Sequence, residues 1–556
     1  MTQNKEDLVF VPLGGTGEIG MNLNLYGYGE PGKRQWLMID LGITFADGNT
    51  PGVDVILPDP SFIEERVDRL AGLVLTHAHE DHIGAVPYLW DRLRCPVYGT
   101  PFTLSVLRRK LREDARDFAD EVPIHEVPLS GTFKIGPFDL EMVTLTHSIP
   151  EPNAIALRTP LGTVLHTGDW KLDPDPVIGA AAEQETLRKM GDDGVLAIVC
   201  DSTNVFEESE AGSESDLLES LTEVIGRCQN RVAVGCFASN VARLETISKA
   251  AAANGRSAVL AGRSLWRMYD AARENGYLGD IPAFLDENDV EHLPKDQTLI
   301  ICTGSQGEPR AALSRIADGS HPRIKLERED TVIFSSRVIP GNEISIARIQ
   351  NLLTRKGVRI ITQDDDFVHV SGHPGRGEMK TMYELVRPSI SIPVHGESRH
   401  LAEHAQLAGE CGVEKVVLIE NGAVVKLGPG EARVIDEAPV GRLAMEGSRL
   451  VPLGGQIVRG RIRAMYAGSA MVTVVMDGAG KRVGDPQISQ IGVLEDGEEE
   501  PLSMVRAEIS RTIAKLKGGD AKDDNAAAEA VRIAVRRAFR KCVGKKPLTQ
   551  VHIVRI

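Results

Sequence analysis

Long apolar runs are missing from this 556-residue chain, and none approaches the ~20 residues needed to span a bilayer. The opening residues Met1-Thr2-Gln3-Asn4-Lys5-Glu6-Asp7 are polar and lack the apolar core of a secretory signal. The expectation is a cytoplasmic protein without membrane partners. Cysteine pairs are missing too. The seven cysteines (Cys95, Cys200, Cys228, Cys236, Cys302, Cys411 and Cys542) are scattered, odd in number and contain no CxxC. That pattern argues against a disulfide framework and against a cysteine-built zinc site, and fits reduced thiols. Positive charge is in deficit: 63 Lys and Arg against 79 Asp and Glu leave a net charge of -16. This speaks against a chain that binds nucleic acid over its whole surface. A local basic channel remains compatible with it, and bound cations add charge that the count omits. Repeats and long low-complexity tracts are absent, and the length suits three or four domains of about 100–200 residues each.

What is present begins β-rich. Residues 8–11, 21–28 and 36–41 read as strands from their apolar runs and alternation. Between the first two, Gly15-Thr16-Gly17-Glu18-Ile19-Gly20 matches the dinucleotide fingerprint GxGxxG. That fingerprint needs a helix next, to set phosphates on its N-terminus. An alternating strand comes next here and Pro31-Gly32 breaks it, so the glycines read as a tight turn. Strands and helices alternate from residue 55 to about 210. Residues 213–254 are charge-rich and read as helical, and residues 258–260, 298–301 and 331–334 read as buried strands. Chemically suggestive residues resume between His369 and His400, so the simplest plan is one α/β domain interrupted by another. After Gly447, residues 456–462 and 470–476 read as strands, 495–500 as an acidic loop, 502–517 and 526–541 as helices, and 551–556 as a last strand. That is a small α+β domain.

The strongest chemical signal is His77-Ala78-His79-Glu80-Asp81-His82, directly after the apolar run Leu73-Val74-Leu75. Imidazoles and a carboxylate are the ligands zinc favours, and a strand end can aim them at one point. One such segment cannot hold two neighbouring ions, so partners should recur at other strand ends. His147 follows residues 143–146, Asp169 follows 164–168 and His395 follows 392–394. Each stands where an apolar run gives way to a loop, the usual place for chemistry in α/β folds.

HxHxDH followed by a lone His, a Gly-Asp and a late His resembles the metallo-β-lactamase superfamily. The resemblance implies an αββα sandwich and two zinc ions per subunit, with manganese or magnesium as substitutes. His77, His79 and His147 would hold one ion, Asp81, His82 and His395 the other, and Asp169 would bridge them. Asp40, in Ile39-Asp40-Leu41-Gly42, would support the ligands from behind. Such an ion pair lowers the pKa of water and stabilises charge on a phosphoryl oxygen. Cysteine is absent where many β-lactamases use one.

Three further segments resemble the β-CASP nucleases of that superfamily: Asp201-Ser202-Thr203-Asn204, His369-Val370-Ser371-Gly372-His373-Pro374-Gly375-Arg376 and His395-Gly396-Glu397. By that resemblance Asp201 would orient His373, which would stabilise the transition state or protonate the leaving oxygen. Phe237-Ala238-Ser239-Asn240 and the run Ser335-Ser336-Arg337-Val338-Ile339-Pro340-Gly341-Asn342-Glu343 are similar to the ribonuclease J family in particular. Ala238, Ser239 and Asn240, with His369, Val370, Ser371, Gly372 and His373, would then hold RNA phosphates through hydroxyl, amide and backbone donors. The family implies a 5′→3′ exoribonuclease favouring 5′-monophosphate RNA, with endonuclease action, in rRNA maturation and mRNA decay. It also implies a homodimer or homotetramer and membership of an RNA-degradation complex. Expected domains are 1–214 and 369–447 for the metallo-β-lactamase part, 215–368 for the β-CASP insertion, and 448–556 for a C-terminal α+β domain. Residues 526–541 carry Arg532, Arg536, Arg537, Arg540 and Lys541, with Lys545 and Lys546 beyond. A solvated helix face is the first reading of that cluster, self-association the assigned role of the domain, and RNA contact the sharper alternative.

Two other classes compete. A small-molecule hydrolase of the same superfamily explains the ligands but leaves the insertion and the SGHPGR segment without purpose. A metal-bearing scaffold without catalysis is opposed by the complete ligand set.

Overall fold

The apolar run at residues 8–11 extends into strand Asp7–Gly14, all eight residues of which are buried. A strand buried on both faces must lie inside a sheet that is itself covered. In the computed structural model, which describes residues 6–46, 50–339 and 341–556, it pairs antiparallel with Leu23–Gly29 and with Ala423–Gly428. Residues 1–5, the polar opening, and Pro340 lie outside the described residues. Strand Leu23–Gly29 comes after the glycine-rich turn where a dinucleotide site would need a helix, and Thr16–Gly17 pairs instead with Gly396–Glu397.

Among the described residues the first sheet has eight strands and continues through Gln35–Ile39 and Leu70–Val74 to Ile124–Glu126. A second sheet has seven. At its centre Phe138–Thr144, Asn153–Thr159, Gly162–His166, Ala197–Asp201 and Ile390–Val394 are consecutive neighbours. The two sheets share one apolar core, with Phe10, Tyr26, Leu37 and Val74 facing Leu140, Ile155, Val199 and Ile392. Helices cover both outer sides. Pro101–Asp114 lies by the first sheet, and Gln184–Asp193, Arg376–Val386 and Ser398–Glu410 pack on the second through Leu187, Met379, Met382 and Leu407. The architecture is therefore an αββα metallo-β-lactamase sandwich. Strand Ile390–Val394 returns to it after the insertion and pairs parallel with Ala197–Asp201.

The insertion holds a parallel sheet of five strands among the described residues, ordered Ser257–Ala261, Thr298–Cys302, Val232–Gly235, Thr331–Phe334 and Arg359–Ile361. Here the sequence reading needs correction, because residues 213–254 are not helical throughout. Helices Asp216–Gly226 and Val241–Ala253 flank strand Val232–Gly235, which is the middle of the sheet. Four small and β-branched residues between two amphipathic helices are too few to display a period of their own.

Contacts divide the chain into two compact units, Met1–Thr44 with Leu57–Gly441, and Phe45–Ile56 with Arg442–Ile556. In the second unit, strand Ser469–Met476 lies between Gln487–Ile491 and Leu548–Arg555. Helices Glu499–Lys515 and Asp524–Val543 pack on this sheet through Val472, Val474, Val505, Ile509, Val531 and Phe539. Residues 456–462, read as a strand, open the helix Gln456–Ala467. Val458 alone of that helix is buried, so no sheet face selects the apparent alternation. The helix formers Arg463, Ala464, Met465 and Ala467 decide the local structure instead. Among the described residues no helix is long and apolar enough to cross a membrane.

Candidate metal centre

The buried strand Leu70–Val74 ends just before Thr76 and His77, and the chain turns at once into the short helix Glu80–Ile83. Five titratable side chains, His77, His79, Glu80, Asp81 and His82, thus leave one strand end. Gly42 makes room for this loop, since a Cβ there would lie 1.6 Å from the Asp81 carbonyl oxygen. His147, Asp169 and His395 come after the strands Phe138–Thr144, Gly162–His166 and Ile390–Val394 of the second sheet, and Asp201 ends Ala197–Asp201. Strand ends of both sheets supply the cluster.

His77 Nε2 and His147 Nε2 each lie 3.0 Å from His79 Nδ1. Burial, and then the neighbouring rings, push His77 and His147 well below the ordinary histidine range, and burial holds His79 at about 4. Neutral imidazoles whose lone pairs converge are a ligand set for a cation. Across the site, Asp81 Oδ2 lies 3.5 Å from His82 Nε2 and 3.7 Å from His395 Nε2. Asp169 stands between the groups. Its Oδ2 is 3.8 Å from both His77 Nε2 and His147 Nε2, and its Oδ1 is 3.3 Å from His82 Nε2 and 3.5 Å from His395 Nε2. The donor atoms of each group lie within 4.8 Å of one another. Burial opposes charge on Asp81 and Asp169, yet the His82 and His395 rings hold both carboxyls well below the usual carboxylate range. Asp169 Oδ1 is buried and makes no hydrogen bond, despite the approach of both rings. A desolvated carboxylate oxygen is costly to leave that way unless a cation completes it. The donors fit metal.

Supporting contacts set the ring orientations. Asp40 accepts from the Thr76 backbone N–H at 2.8 Å and the Thr76 hydroxyl at 2.8 Å, and its Oδ2 lies 2.7 Å from His82 Nδ1. A carboxylate behind a histidine fixes the tautomer and raises ligand basicity. Asn22 does the same for the far ligand: its Oδ1 is 3.1 Å from His395 Nδ1, while its Nδ2 donates to the Asp81 carbonyl at 3.0 Å. The same Nδ2 is 3.1 Å from His82 Nε2, so one amide touches both rings. No local motif marks Asn22. Asp40 and His395 both adopt left-handed backbone, at φ 63° and 52°. Strain of this kind persists where surrounding structure over-determines it.

The segment 369–373 meets the metal ligands directly. His147 Nδ1–H donates to the Gly372 carbonyl, and a Cβ on Gly372 would lie 2.8 Å from that ring. His373 Nδ1 is 2.8 Å from Asp201 Oδ2, and its Nε2 faces Asp169 Oδ2 at 4.0 Å. Burial alone would lower this imidazole, but Asp201 and Asp169 hold it up at about 9. Divalent ions in the site would pull it down by their charge. Ser371 Oγ accepts from Asn204 Nδ2 at 2.7 Å and from the His373 N–H at 3.1 Å.

The inserted domain contributes a second set. Ala238 and Ser239 lie in the turn after Val232–Gly235, and among the described residues the Ser239 hydroxyl has no hydrogen-bond partner. Asn240 caps the helix Val241–Ala253, its Oδ1 accepting from the Arg243 N–H at 2.8 Å. Sequence reasoning missed Arg243. Fully buried, it grips Glu214 through Nε and Nη2 at 2.6 and 3.0 Å and donates from Nη1 to the Ser335 carbonyl at 2.8 Å and hydroxyl at 2.7 Å. Its Nη1 is also 3.3 Å from His369 Nδ1, and its Nη2 is 3.5 Å from the Val370 carbonyl. Burial first, and Arg243 next, push His369 well below the ordinary range. Asn240 is thus joined to the 369–373 segment through Arg243. A lone arginine in a helix first turn gave no signal.

Family models match in order along the chain: the metallo-beta-lactamase superfamily at 27–200, the ribonuclease J beta-CASP domain at 229–353, the Zn-dependent metallo-hydrolase RNA specificity domain at 357–418, and the ribonuclease J C-terminal domain at 456–556. Ribonuclease J of Sinorhizobium meliloti is 44% identical over 99% of this chain and 98% of its own. Ribonuclease J of Mycolicibacterium smegmatis is 38% identical over 98% and 96%. A solved structure of a protein of unknown function from Enterococcus faecalis aligns with 76% of this chain and all of its own at TM-score 0.52 and 17% identity, a likeness of fold. On these full-length similarities and the clustered candidate metal ligands, the chain belongs to the ribonuclease J family and is a metal-dependent, RNA-binding ribonuclease.

Proposed function

We propose that this ribonuclease removes nucleotides in the 5′→3′ direction from single-stranded RNA bearing a 5′-monophosphate, and also cuts internally, in rRNA maturation and mRNA decay. The observation that carries this reading is the 369–373 segment, whose Gly372 carbonyl is held by His147 and whose His373 is held by Asp201. One loop thereby couples a metal ligand to a proton donor. In this reading two zinc ions, or manganese or magnesium in their place, are held by His77, His79 and His147, and by Asp81, His82 and His395, with Asp169 shared. Bound there, divalent ions supply Lewis acidity toward a phosphoryl oxygen and lower the pKa of water.

The chain's own residues do the rest. Asp201 takes the Nδ1 proton of His373 as a hydrogen bond, so the transferable proton sits on Nε2, which faces the site. From there His373 protonates the leaving 3′ oxygen. Asp40 and Asn22 keep the His82 and His395 rings in place. Ser239, with its uncommitted hydroxyl, and the backbone of Ala238, Asn240 and residues 369–372 bind the terminal phosphate. The active domain is 1–214 with 369–447, the insertion 215–368 contributes the RNA-phosphate contacts at Ala238, Ser239 and Asn240, and 448–556 supports a homodimer or homotetramer. The setting is the cytoplasm, with an RNA-degradation complex as partner.

The test uses one RNA carrying a 5′-monophosphate, 5′-triphosphate or 5′-hydroxyl, labelled at either end. Mononucleotides released fastest from the monophosphorylated RNA, and lost with chelator or in Asp81→Ala, support the proposal. Equal rates from all three ends, or release starting at the 3′ end, overturn it.

A further inference from the structure

The helix Asp524–Val543 turns Val531, Val535, Ala538 and Phe539 into the core of the second unit and leaves Arg537 and Arg540 exposed, with Arg532 and Arg536 half-buried. Arg532, Arg536 and Arg540 are four residues apart, so they form one stripe with about 6 Å of rise between members. With Arg537, Ile533 and Lys546 they line an open cavity of about 270 Å³. Residues 526–556 hold eight Lys and Arg against a single acid, Glu529, in a chain whose net charge is -16. Glu529 is committed to Arg532 at 2.6 Å. Among the described residues Arg536, Arg537, Arg540 and Lys546 have no acidic side chain at ion-pair distance, and the buried Nε of Arg536 has no acceptor.

Ordinary helix chemistry accounts for part of this. Arg540 and Lys541 suit the negative end of the helix dipole, but that effect stays within the last turn. It does not reach Arg536 or Arg532, and like charges four residues apart oppose helix formation. Nor is the cluster a loose basic tail, because the opposite face of the helix is core. Arg536, Arg537 and Arg540 are therefore positive charges held in fixed positions without an ion-pair partner among the described residues.

We propose that this groove binds the phosphate backbone of RNA, gripping a stretch of substrate other than the nucleotides being cut. The proposal rests on RNA as substrate but not on the direction of cutting. A polyanion matches the charge, the repeat and the open shape. Guanidinium groups clamp phosphates bidentately, and Ile533 offers an apolar surface to a base. Neither contact reads sequence, so the grip is general and salt-sensitive.

The experiment uses the full-length protein with Arg536→Gln, Arg537→Gln and Arg540→Gln combined, and a second triple variant with lysine at the same positions. Binding is measured in an Asp81→Asn background, with RNAs of about 40 and about 6 nucleotides, lengths chosen above and below a typical single-strand site. The glutamine variant is expected to lose about tenfold in affinity for the long RNA and to flatten its salt dependence by about 2 in log–log slope, at ~0.7 per phosphate contact. The lysine variant should keep most of the affinity, and binding of the short RNA should not change. Nucleotide release from the short RNA by proteins with Asp81 intact should match that of the unsubstituted chain. Long-RNA affinity unchanged by the glutamine variant overturns the proposal. Equal losses in both triple variants overturn the electrostatic account. A changed molar mass by light scattering with unchanged RNA affinity means that the groove receives a second copy, with its acidic residues 495–500, and also overturns it. Failure of the 5′→3′ reading would appear separately, in the products of the unsubstituted protein.

Discussion

The metal centre and the helix Asp524–Val543 handle charge in opposite ways. At the centre, Asp40, Asp81, Asp169 and Asp201 are each within 4 Å of an imidazole, and their positions are shared among four strand ends. On the helix, Arg537 and Arg540 are exposed and share one sign with Arg532 and Arg536, and among the described residues only Arg532 of the four has an acidic ion-pair partner, Glu529. Buried counterposed charge is preorganised, and removing one member leaves its partner desolvated and unpaired. Exposed like charge is graded, since each residue adds a small, salt-screened increment. The comparison teaches that single substitutions should be severe in the first region and additive in the second.

The sharpest test of that contrast is Asp169→Asn. It keeps the shape but removes the shared negative charge, and RNA turnover should fall on the order of ten thousandfold, as expected when several kcal/mol of transition-state stabilisation is lost. Metal content measured alongside should also drop. Next comes His373→Ala, for which about a hundredfold to thousandfold loss of turnover is expected from losing a general acid. Asp201→Asn tests the same proton from behind. Asp201 raises the pKa of His373; in the proposed role His373 acts in its protonated form, so activity should be present below that pKa and lost as pH rises through it. Removing the carboxylate lowers the pKa, and the alkaline limb of the pH–rate profile should move to lower pH. A limb that stays in place would break the assignment.

Arg243→Met would leave Glu214 buried without its partner, and should cost about 3–5 kcal/mol in denaturant unfolding. Arg243→Lys should restore part of the stability but raise KM for 5′-monophosphate RNA more than it lowers kcat. Asn22→Ala removes only a ring-orienting amide, and metal affinity measured by competition with a chelator should weaken by about 10–100-fold. The smallest effect belongs to the outward-facing region. Arg537 is exposed on the helix Asp524–Val543, and Arg537→Ala should change stability by less than about 0.5 kcal/mol. A larger value there would erase the distinction between the two regions.

Legibility in the sequence divides along the same line. The cluster from His77 to His82 is visible because its ligands are local, and His147, Asp169 and His395 because each ends an apolar run. Their convergence is what the fold adds. Asn22 meets a ring 373 residues away, and Arg243 meets His369 across 126, so neither carries a local signature. The αββα sandwich with its insertion is legible from strand and helix alternation together with family motifs. Two local readings fail for want of burial information. Strand Val232–Gly235 is hidden between helices, and the helix Gln456–Ala467 looks like a strand because a period of two is counted without a sheet face to bury it. The turn at Gly15–Gly20 is legible because strand Leu23–Gly29 occupies the place of the helix that a phosphate site requires; the glycines alone would mislead.

The order of these ligands along the chain also bears on biosynthesis. His147 waits for the Gly372 carbonyl, 225 residues further on, and Asp201 waits for His373. At translation speeds of roughly 5–20 residues per second, about 10–45 s separate the emergence of the first partner from the second. Throughout that interval the nascent polypeptide lacks its last imidazoles and the loop that bears them. A ribosome making this chain therefore carries it without the residues that complete the candidate centre. Placing the final pieces of the centre beyond the insertion delays hydrolytic competence until most of the message has been read.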